Sequence, residues 1–110
     1  MSILGQYQRA VDDYDKAIDL DPTAVRYNTR GRSYSELGKN ERAIEDYDKA
    51  IELDPDNAEA YINRGSSYSN LDQDQRAIED YDKAIELDPN DAEAPTHRQR
   101  TLRALEESAK

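Results

Sequence analysis

Apolar residues recur along this chain at three- and four-residue intervals, and no stretch shows the two-residue alternation of a β-strand. The first stripe comprises Ala10, Val11, Tyr14, Ala17 and Ile18, and aspartates fill the positions between them. This spacing places the apolar side chains on one face of an amphipathic helix. The same pattern along the chain predicts six helices, over residues 6–20, 24–37, 41–53, 58–71, 75–87 and 92–108.

Proline and glycine mark the ends of these helices. Three of the helices stop at an Asp-Pro pair, and the prolines of these pairs are Pro22, Pro55 and Pro89. Proline cannot continue a helix, and it restricts the residue before it. Gly38 suits the left-handed conformation that closes many helices, and Asp72 stands at the matching place in the next unit. These signals support short turns between consecutive helices.

One segment is written three times. RAIEDYDKAIELDP spans residues 42–55, returns letter for letter at 76–89, and has a looser copy, RAVDDYDKAIDLDP, at 9–22. The Leu4-Gly5 pair before the first copy also matches the turn at Leu37-Gly38. Repetition at this period indicates architecture rather than a catalytic motif. We call the helices that contain the segment outer helices, and those predicted over 24–37, 58–71 and 92–108 inner helices.

The two middle units share a pattern of spaced aromatic and small residues. The first has Tyr27, Gly31, Tyr34, Ala43, Tyr47, Ala50 and Pro55, and the second has Tyr61, Gly65, Tyr68, Ala77, Tyr81, Ala84 and Pro89. This pattern resembles the tetratricopeptide repeat (TPR) family. Tyrosine replaces the family's usual Trp and Phe, and Arg30 and Arg64 replace its usual Leu. The segment Asn63-Arg64-Gly65 is similar to an N-R-G variant of the repeat.

The resemblance implies an all-α fold in which antiparallel helix pairs stack into a right-handed superhelix, with the inner helices lining a concave groove. It implies one TPR domain over 1–110 with no catalytic activity, in which the groove binds a peptide or a helix. Its parts would be a half repeat over 4–22, whole repeats over 24–55 and 58–89, and a capping or inner-type helix over 91–109.

Composition changes this picture in two respects. Leu, Ile, Val and Phe together number only 17 of 110 residues and the net charge is -10, a balance typical of disordered segments, but the regular helical placement of the apolar residues argues for a folded chain. The acidic charge argues against nucleic-acid binding, which needs a basic face. There is no apolar run long enough to cross a membrane and no signal peptide, so we expect a cytoplasmic protein.

Candidate catalytic chemistry is sparse. His97 is the only histidine, and the repeated carboxylates follow the repeat period on outward-facing helices, where a solvated face is expected. The chain has no cysteine, no glycine-rich phosphate loop and no complete calcium loop. We therefore expect neither an enzyme nor a bound metal or cofactor.

Arg30 and Arg64 lie on helix faces that should be largely buried, where a charge needs a partner. We expect each to form an ion pair with an aspartate of a neighbouring outer helix, Asp46 for the first and Asp80 for the second. The alternative is that both arginines bind a ligand carboxylate.

The inner-helix positions away from the tyrosine face are the candidate binding groove. They offer amides, hydroxyls and a few cations, which can hydrogen-bond an extended peptide backbone. The candidates are Asn28, Thr29, Arg32, Ser35, Glu36, Ile62, Asn63, Ser66, Ser69, Asn70, His97 and Arg100. One TPR subfamily grips chaperone C-terminal carboxylates with lysines and asparagines. Glu59 and Glu93 stand where its lysines would be expected, which argues against that partner.

The incomplete repeats at either end suggest self-association as the alternative function. The stripe of Val11, Tyr14 and Ile18 would lack an inner partner, and Leu102 and Leu105 lie on a helix without a following outer helix. The C-terminal helix of one chain could dock on the N-terminal helix of another, giving a structural, self-assembling repeat protein. A two-fold dimer through the N-terminal faces and an ordinary capping helix are the other interpretations.

Overall fold

The computed structural model describes residues 2–109. It contains six α-helices in this part of the chain, and no strand. The sequence predicted each of them to within a few residues at either end. The helices are α1 (Ile3–Leu20), α2 (Ala24–Glu36), α3 (Asn40–Leu53), α4 (Ala58–Asn70), α5 (Asp74–Leu87) and α6 (Glu93–Ser108). They divide between two compact units, Met1–Pro55 with α1 to α3 and Asp56–Lys110 with α4 to α6.

Helix α1 begins earlier than the sequence pattern predicts. Leu4 and Gly5 lie inside the helix rather than in a turn, so the comparison with Leu37-Gly38 is wrong in this respect. The cause is Ser2, whose hydroxyl oxygen accepts a hydrogen bond from the Gly5 backbone N–H at 3.0 Å. This N-cap satisfies one of the free N–H groups of the first turn and lets the helix start at Ile3.

The turns between inner and outer helices are the same in both units. Gly38 has a φ of 76° and Asp72 a φ of 61°, so both occupy the left-handed region that the sequence predicted for Gly38. In each turn the next backbone N–H, from Lys39 or Gln73, bonds back to a tyrosine carbonyl oxygen at 2.9 Å. These short connections make the flanking helices antiparallel neighbours.

The core of the first unit joins all three of its helices. Val11 of α1, which is 2% exposed, packs with Tyr34 of α2 and with Ala43 and Tyr47 of α3. Ile18 is buried as well. The expectation that the α1 stripe lies bare is therefore wrong for Val11 and Ile18, because these side chains are covered within the chain.

The core of the second unit is built on Ile62, Ala84 and Ala94, one residue from each of its helices. Ile62 is 2% exposed, so it belongs to this core and does not line an open groove as predicted. An aliphatic side chain on the helix face turned towards α5 and α6 gains more by leaving water than by lining a polar surface.

Two glycines allow the inner and outer helices of each pair to approach closely. A Cβ atom built on Gly31 would lie 2.6 Å from Cε1 of Tyr47, and one on Gly65 would lie 2.7 Å from Cε1 of Tyr81. Both tyrosines are 1% exposed, and their rings pack against these glycines. The rings lie where an alanine methyl group would be, which explains why a helix-weakening residue stands at both places.

We expect Gly31→Ala and Gly65→Ala to destabilise the protein although alanine favours helix. The added methyl groups overpack a close contact, at a cost of about 1–3 kcal/mol. Urea denaturation followed by circular dichroism measures the change in the free energy of unfolding. Val25→Ala on α2 is the control, since Val25 is exposed and its loss should change stability by less than about 0.5 kcal/mol. Glycine variants as stable as this control would contradict the close-approach argument.

Candidate functional site

Arg30 of α2 binds two carboxylates at once. Its Nε and Nη2 donate to the two carboxylate oxygens of Asp46 on α3 at 2.9 and 2.7 Å, and its Nη1 donates to Asp15 of α1 at 2.9 Å. The paired geometry is the strong, bidentate form of an arginine–carboxylate contact. One side chain therefore holds all three helices of the first unit in register.

Arg64 makes the same contact in the second unit. Its Nε and Nη2 donate to Asp80 of α5 at 2.9 and 2.7 Å. Asp46 and Asp80 are both buried, and the predicted partners of both arginines are confirmed. The alternative, in which these guanidinium groups bind a ligand carboxylate, is disfavoured. The Nε and Nη2 donors of both arginines already bond to an aspartate of the chain.

The pKa values of the first pair reflect its position. Burial raises the pKa of Asp46 above its ordinary value, although the hydrogen bonds and charge of Arg30 oppose that change. The bonds to Asp46 in turn raise the pKa of Arg30, against the effect of its own burial. The buried carboxylate depends on the guanidinium to compensate its charge.

A polar cleft lies in the second unit where its three helices meet. It has a volume of about 200 Å³ and brings together five of the predicted groove residues with two that the sequence analysis missed. The predicted members are Ser66, Ser69, Asn70, His97 and Arg100, and the additional ones are Tyr81 and Thr101. We call this set the α4–α6 cleft.

Aromatic packing and hydroxyl contacts hold the floor of the α4–α6 cleft. The ring of His97 stacks on that of Tyr81, with centroids 5.7 Å apart and planes inclined by 18°. The Tyr81 hydroxyl lies 3.3 Å from the Ser66 hydroxyl oxygen, and burial raises the pKa of Tyr81 although Ser66 and Thr101 oppose that change by hydrogen bonding. Arg100 is exposed and stands at the rim. The cleft thus combines fixed hydroxyls with an accessible cation.

Glu93 lies one turn before His97 on α6. Its carboxylate oxygen is 3.7 Å from Nε2 of His97, which lines the α4–α6 cleft. Within residues 2–109, no group of three or more His, Cys, Asp or Glu side chains is placed to hold a metal ion. The lining of the cleft offers hydrogen bonds and charge contacts.

The first unit has a smaller set of polar residues at the corresponding place. Tyr7 of α1 and Thr29, Arg32, Ser33 and Glu36 of α2 line a cleft of about 230 Å³. Thr29 donates its hydroxyl proton to the Val25 carbonyl oxygen at 2.8 Å. Its oxygen can still accept a bond from a ligand.

The remaining predicted groove residues lie elsewhere. Asn28 is buried, which corrects its expected place on an open surface. Ser35 and Asn63 are partly exposed and line neither cleft. The repeat period does not reveal Thr101, since it falls 34 positions after Ser67, a buried residue outside the predicted groove set. It does not reveal Tyr81 either, because only packing brings the outer-helix hydroxyl to the cleft.

Comparison with known families agrees with this architecture. A model described as "TPR repeat" matches residues 31–72, and two described as "Tetratricopeptide repeat" match residues 58–91 and 2–23. The chain belongs to the tetratricopeptide repeat family. It has the all-α helical repeat fold of that family, as its sequence pattern predicted. A comparison with curated proteins finds no match.

Solved TPR domains are similar to this TPR chain over nearly all of its length. The first TPR of Spaghetti (RPAP3), bound to the HSP90 peptide SRMEEVD, is 33% identical over 92% of this chain and 81% of its own, with a TM-score of 0.88. The second TPR domain of human RPAP3, in complex with the HSP70 peptide SGPTIEEVD, is 28% identical over 88% and 82%, with a TM-score of 0.84. The Sgt2 TPR domain from Aspergillus fumigatus is 28% identical over 96% and 72%, with a TM-score of 0.89.

None of the helices within residues 2–109 of this TPR chain combines the length and apolarity required to span a bilayer.

We expect Arg30→Met to destabilise the protein by about 3 kcal/mol, because it leaves Asp46 as an uncompensated buried charge. Adding Asp46→Asn to this variant should recover part of the loss. Arg26→Met is the control on the same helix, since the Arg26–Asp21 pair is far more exposed and should contribute less than about 1 kcal/mol. Equal losses in Arg30→Met and Arg26→Met would contradict this account.

The cost of Arg30→Met should also depend on pH. Since the pKa of folded Asp46 lies above its ordinary value of 3.8, its contribution to stability is fully present below that value and is lost as pH rises through the folded pKa. Arg30 lowers this pKa, so its removal enlarges the loss. The difference in unfolding free energy between wild type and variant should therefore be larger at about pH 7 than at about pH 4.

Proposed function

We propose that this chain is a non-catalytic protein-interaction module that binds an extended peptide through the polar surface of its inner helices. The α4–α6 cleft is the observation that carries the proposal. Three helices converge there on hydroxyl, amide and cationic side chains, with a buried Tyr81 and a stacked His97 as a fixed floor. A preorganised set of this kind loses little side-chain entropy when a ligand binds.

The chemistry of the cleft suits a peptide backbone. The hydroxyls of Ser66 and Ser69 and the amide of Asn70 can both donate and accept hydrogen bonds, as the alternating N–H and C=O groups of an extended chain require. Arg100 at the rim can bind a single carboxylate, either of a side chain or of a chain terminus. We place the centre of the peptide over Ser66 and Ser69, and its acidic group against Arg100.

The absence of an activated nucleophile in this cleft supports a binding role. Ser66 and Tyr81 are hydroxyl neighbours, and His97 is stacked on Tyr81 and turned towards Glu93. A serine nucleophile needs a base within hydrogen-bonding distance, whereas the His97 ring stacks on Tyr81 and its Nε2 lies 3.7 Å from Glu93.

The peptides bound by the two RPAP3 domains end in EEVD and are strongly acidic. That class of ligand suits this chain less well, because Glu93 lies beside the α4–α6 cleft and the chain carries a net charge of -10. Like charges near a binding site disfavour a partner and so contribute to specificity. We infer that the preferred peptide carries few carboxylates.

A peptide-display selection on the wild-type chain, followed by titration of the selected peptides, tests the site. We expect the Ser69→Ala/Arg100→Ala variant to bind them at least about tenfold more weakly, a loss of about 1.4 kcal/mol. Arg9→Ala makes the same change of charge on an exposed position of α1 and should leave affinity unchanged. If the double variant binds as well as wild type, the peptide does not occupy the cleft.

The SRMEEVD peptide tests the electrostatic argument separately. Wild type should bind it weakly, and Glu93→Lys should raise its affinity by about tenfold, because a repulsive charge next to His97 of the cleft becomes an attractive one. Glu86→Lys changes the net charge equally on an exposed position of α5 and serves as the control. An equal rise in both variants would mean that only the overall charge matters.

A further inference from the structure

The imidazole of His97 lies between a carboxylate and a guanidinium on α6. Glu93 stands one turn before it, with its carboxylate oxygen 3.7 Å from Nε2 of His97. Arg100 stands three residues after it and lines the same α4–α6 cleft. Residues three and four apart on a helix are neighbours on its surface. The charge of His97 therefore acts on both of these groups and on a ligand in the cleft.

Packing fixes the position of this imidazole. Its ring stacks on that of Tyr81 of α5, with centroids 5.7 Å apart, and Tyr81 is 1% exposed. The His97 side chain itself is 28% exposed, so one part of the ring is held by the protein while another part reaches solvent. A proton can therefore bind the ring without a rearrangement of the helices.

The other elements of the cleft leave the change of charge to His97. The lining residues from α4 are Ser66, Ser69 and Asn70, none of which carries a charge. From α5, Tyr81 stays a neutral phenol because burial raises its pKa above the ordinary value of 10.0, and Asp80 beside it is bound by Arg64. Histidine is the side chain that gains or loses a proton between about pH 5 and pH 8.

The charge of His97 decides the balance of charge at the cleft. With a neutral imidazole, the negative charge of Glu93 offsets the positive charge of Arg100. A protonated imidazole instead offsets Glu93 and leaves Arg100 to attract an anion. Protonation also makes both ring nitrogens hydrogen-bond donors, whereas only one of them donates in the neutral ring.

We propose that His97 determines the specificity of the α4–α6 cleft and that its protonation admits an acidic peptide beside Arg100. This inference rests on the proposed function, since it requires the peptide to occupy the cleft. It adds a condition to that function. The cleft prefers peptides with few carboxylates while His97 is neutral, and it accepts carboxylate-bearing peptides once the imidazole is charged.

Calorimetric titration of the SRMEEVD peptide at about pH 8 and about pH 5.5, at one ionic strength, tests the proposal. Wild type should bind the peptide at least about fivefold more tightly at the lower pH. His97→Gln keeps a polar side chain that cannot be protonated in this range, so its affinity should be the same at both pH values. His97 is the only histidine of the chain and the peptide has none, so no other imidazole contributes.

A fixed charge at the same position provides a second test. His97→Lys should bind the peptide at about pH 8 at least as tightly as wild type does at about pH 5.5. Gln99→Lys adds the same charge at an exposed position of α6 outside the cleft and should change the affinity far less. Circular dichroism checks that each variant is folded.

Because binding and protonation are linked, the peptide must also act on the imidazole. A single histidine gives one set of ring-proton signals, so nuclear magnetic resonance follows its protonation without ambiguity. Adding the SRMEEVD peptide should move the midpoint of this titration to higher pH, by the same factor by which protonation raises the affinity. A purely structural role for His97, in packing on Tyr81, would leave the midpoint unchanged.

The Ser69→Ala/Arg100→Ala variant separates this inference from the proposed function. If it weakens binding at the lower pH but wild-type affinity does not change with pH, the peptide occupies the cleft and only the role of His97 is overturned. That role is also overturned if His97→Gln keeps the pH dependence, or if wild type binds SRMEEVD at neither pH. If the double variant binds SRMEEVD as wild type does, this peptide lies outside the cleft and both proposals fail.

Discussion

The bidentate contact between an inner-helix arginine and an outer-helix aspartate is the interaction on which each unit depends. Arg30 binds Asp46 on one neighbour and Asp15 on the other, and Arg64 repeats the contact with Asp80. A fork of fixed geometry tolerates little sliding or rotation of the helices that it joins. The contact therefore sets the register of these helices. In that register the glycines pack against the tyrosine rings, and the polar residues of the clefts come together.

This arrangement explains how a chain so poor in aliphatic residues forms a core. Tyr47 and Tyr81 supply large buried rings, and Gly31 and Gly65 supply the space that they occupy. The rings contribute apolar area, and their hydroxyls remain able to reach polar partners, as Tyr81 does with Ser66. The same side chain thus serves the core and the floor of the α4–α6 cleft, which couples the packing of the second unit to its binding surface.

Membership of the tetratricopeptide repeat family and the geometry of the cleft lead to the same proposed role, that of a protein-interaction module. Specificity would come from residues that differ between repeats, since the outer helices are nearly identical. His97 and Arg100 have Asn63 and Ser66 as their counterparts on the preceding inner helix. The repeated arginine instead has a structural role, since Arg30 and Arg64 are paired with buried aspartates.

The sequence by itself determined the helices, the repeat and the arginine–aspartate pairs. Periodicity, Asp-Pro stops and a segment written three times are local signals, and a charge on a buried face requires a partner within reach. Tertiary structure alone decided which side chains are accessible. Val11, Ile18, Asn28 and Ile62 lie on faces whose covering depends on how neighbouring helices cross, and Tyr81 reaches the cleft from an outer helix. Such distances join residues far apart in the chain, so spacing along one helix could not give them.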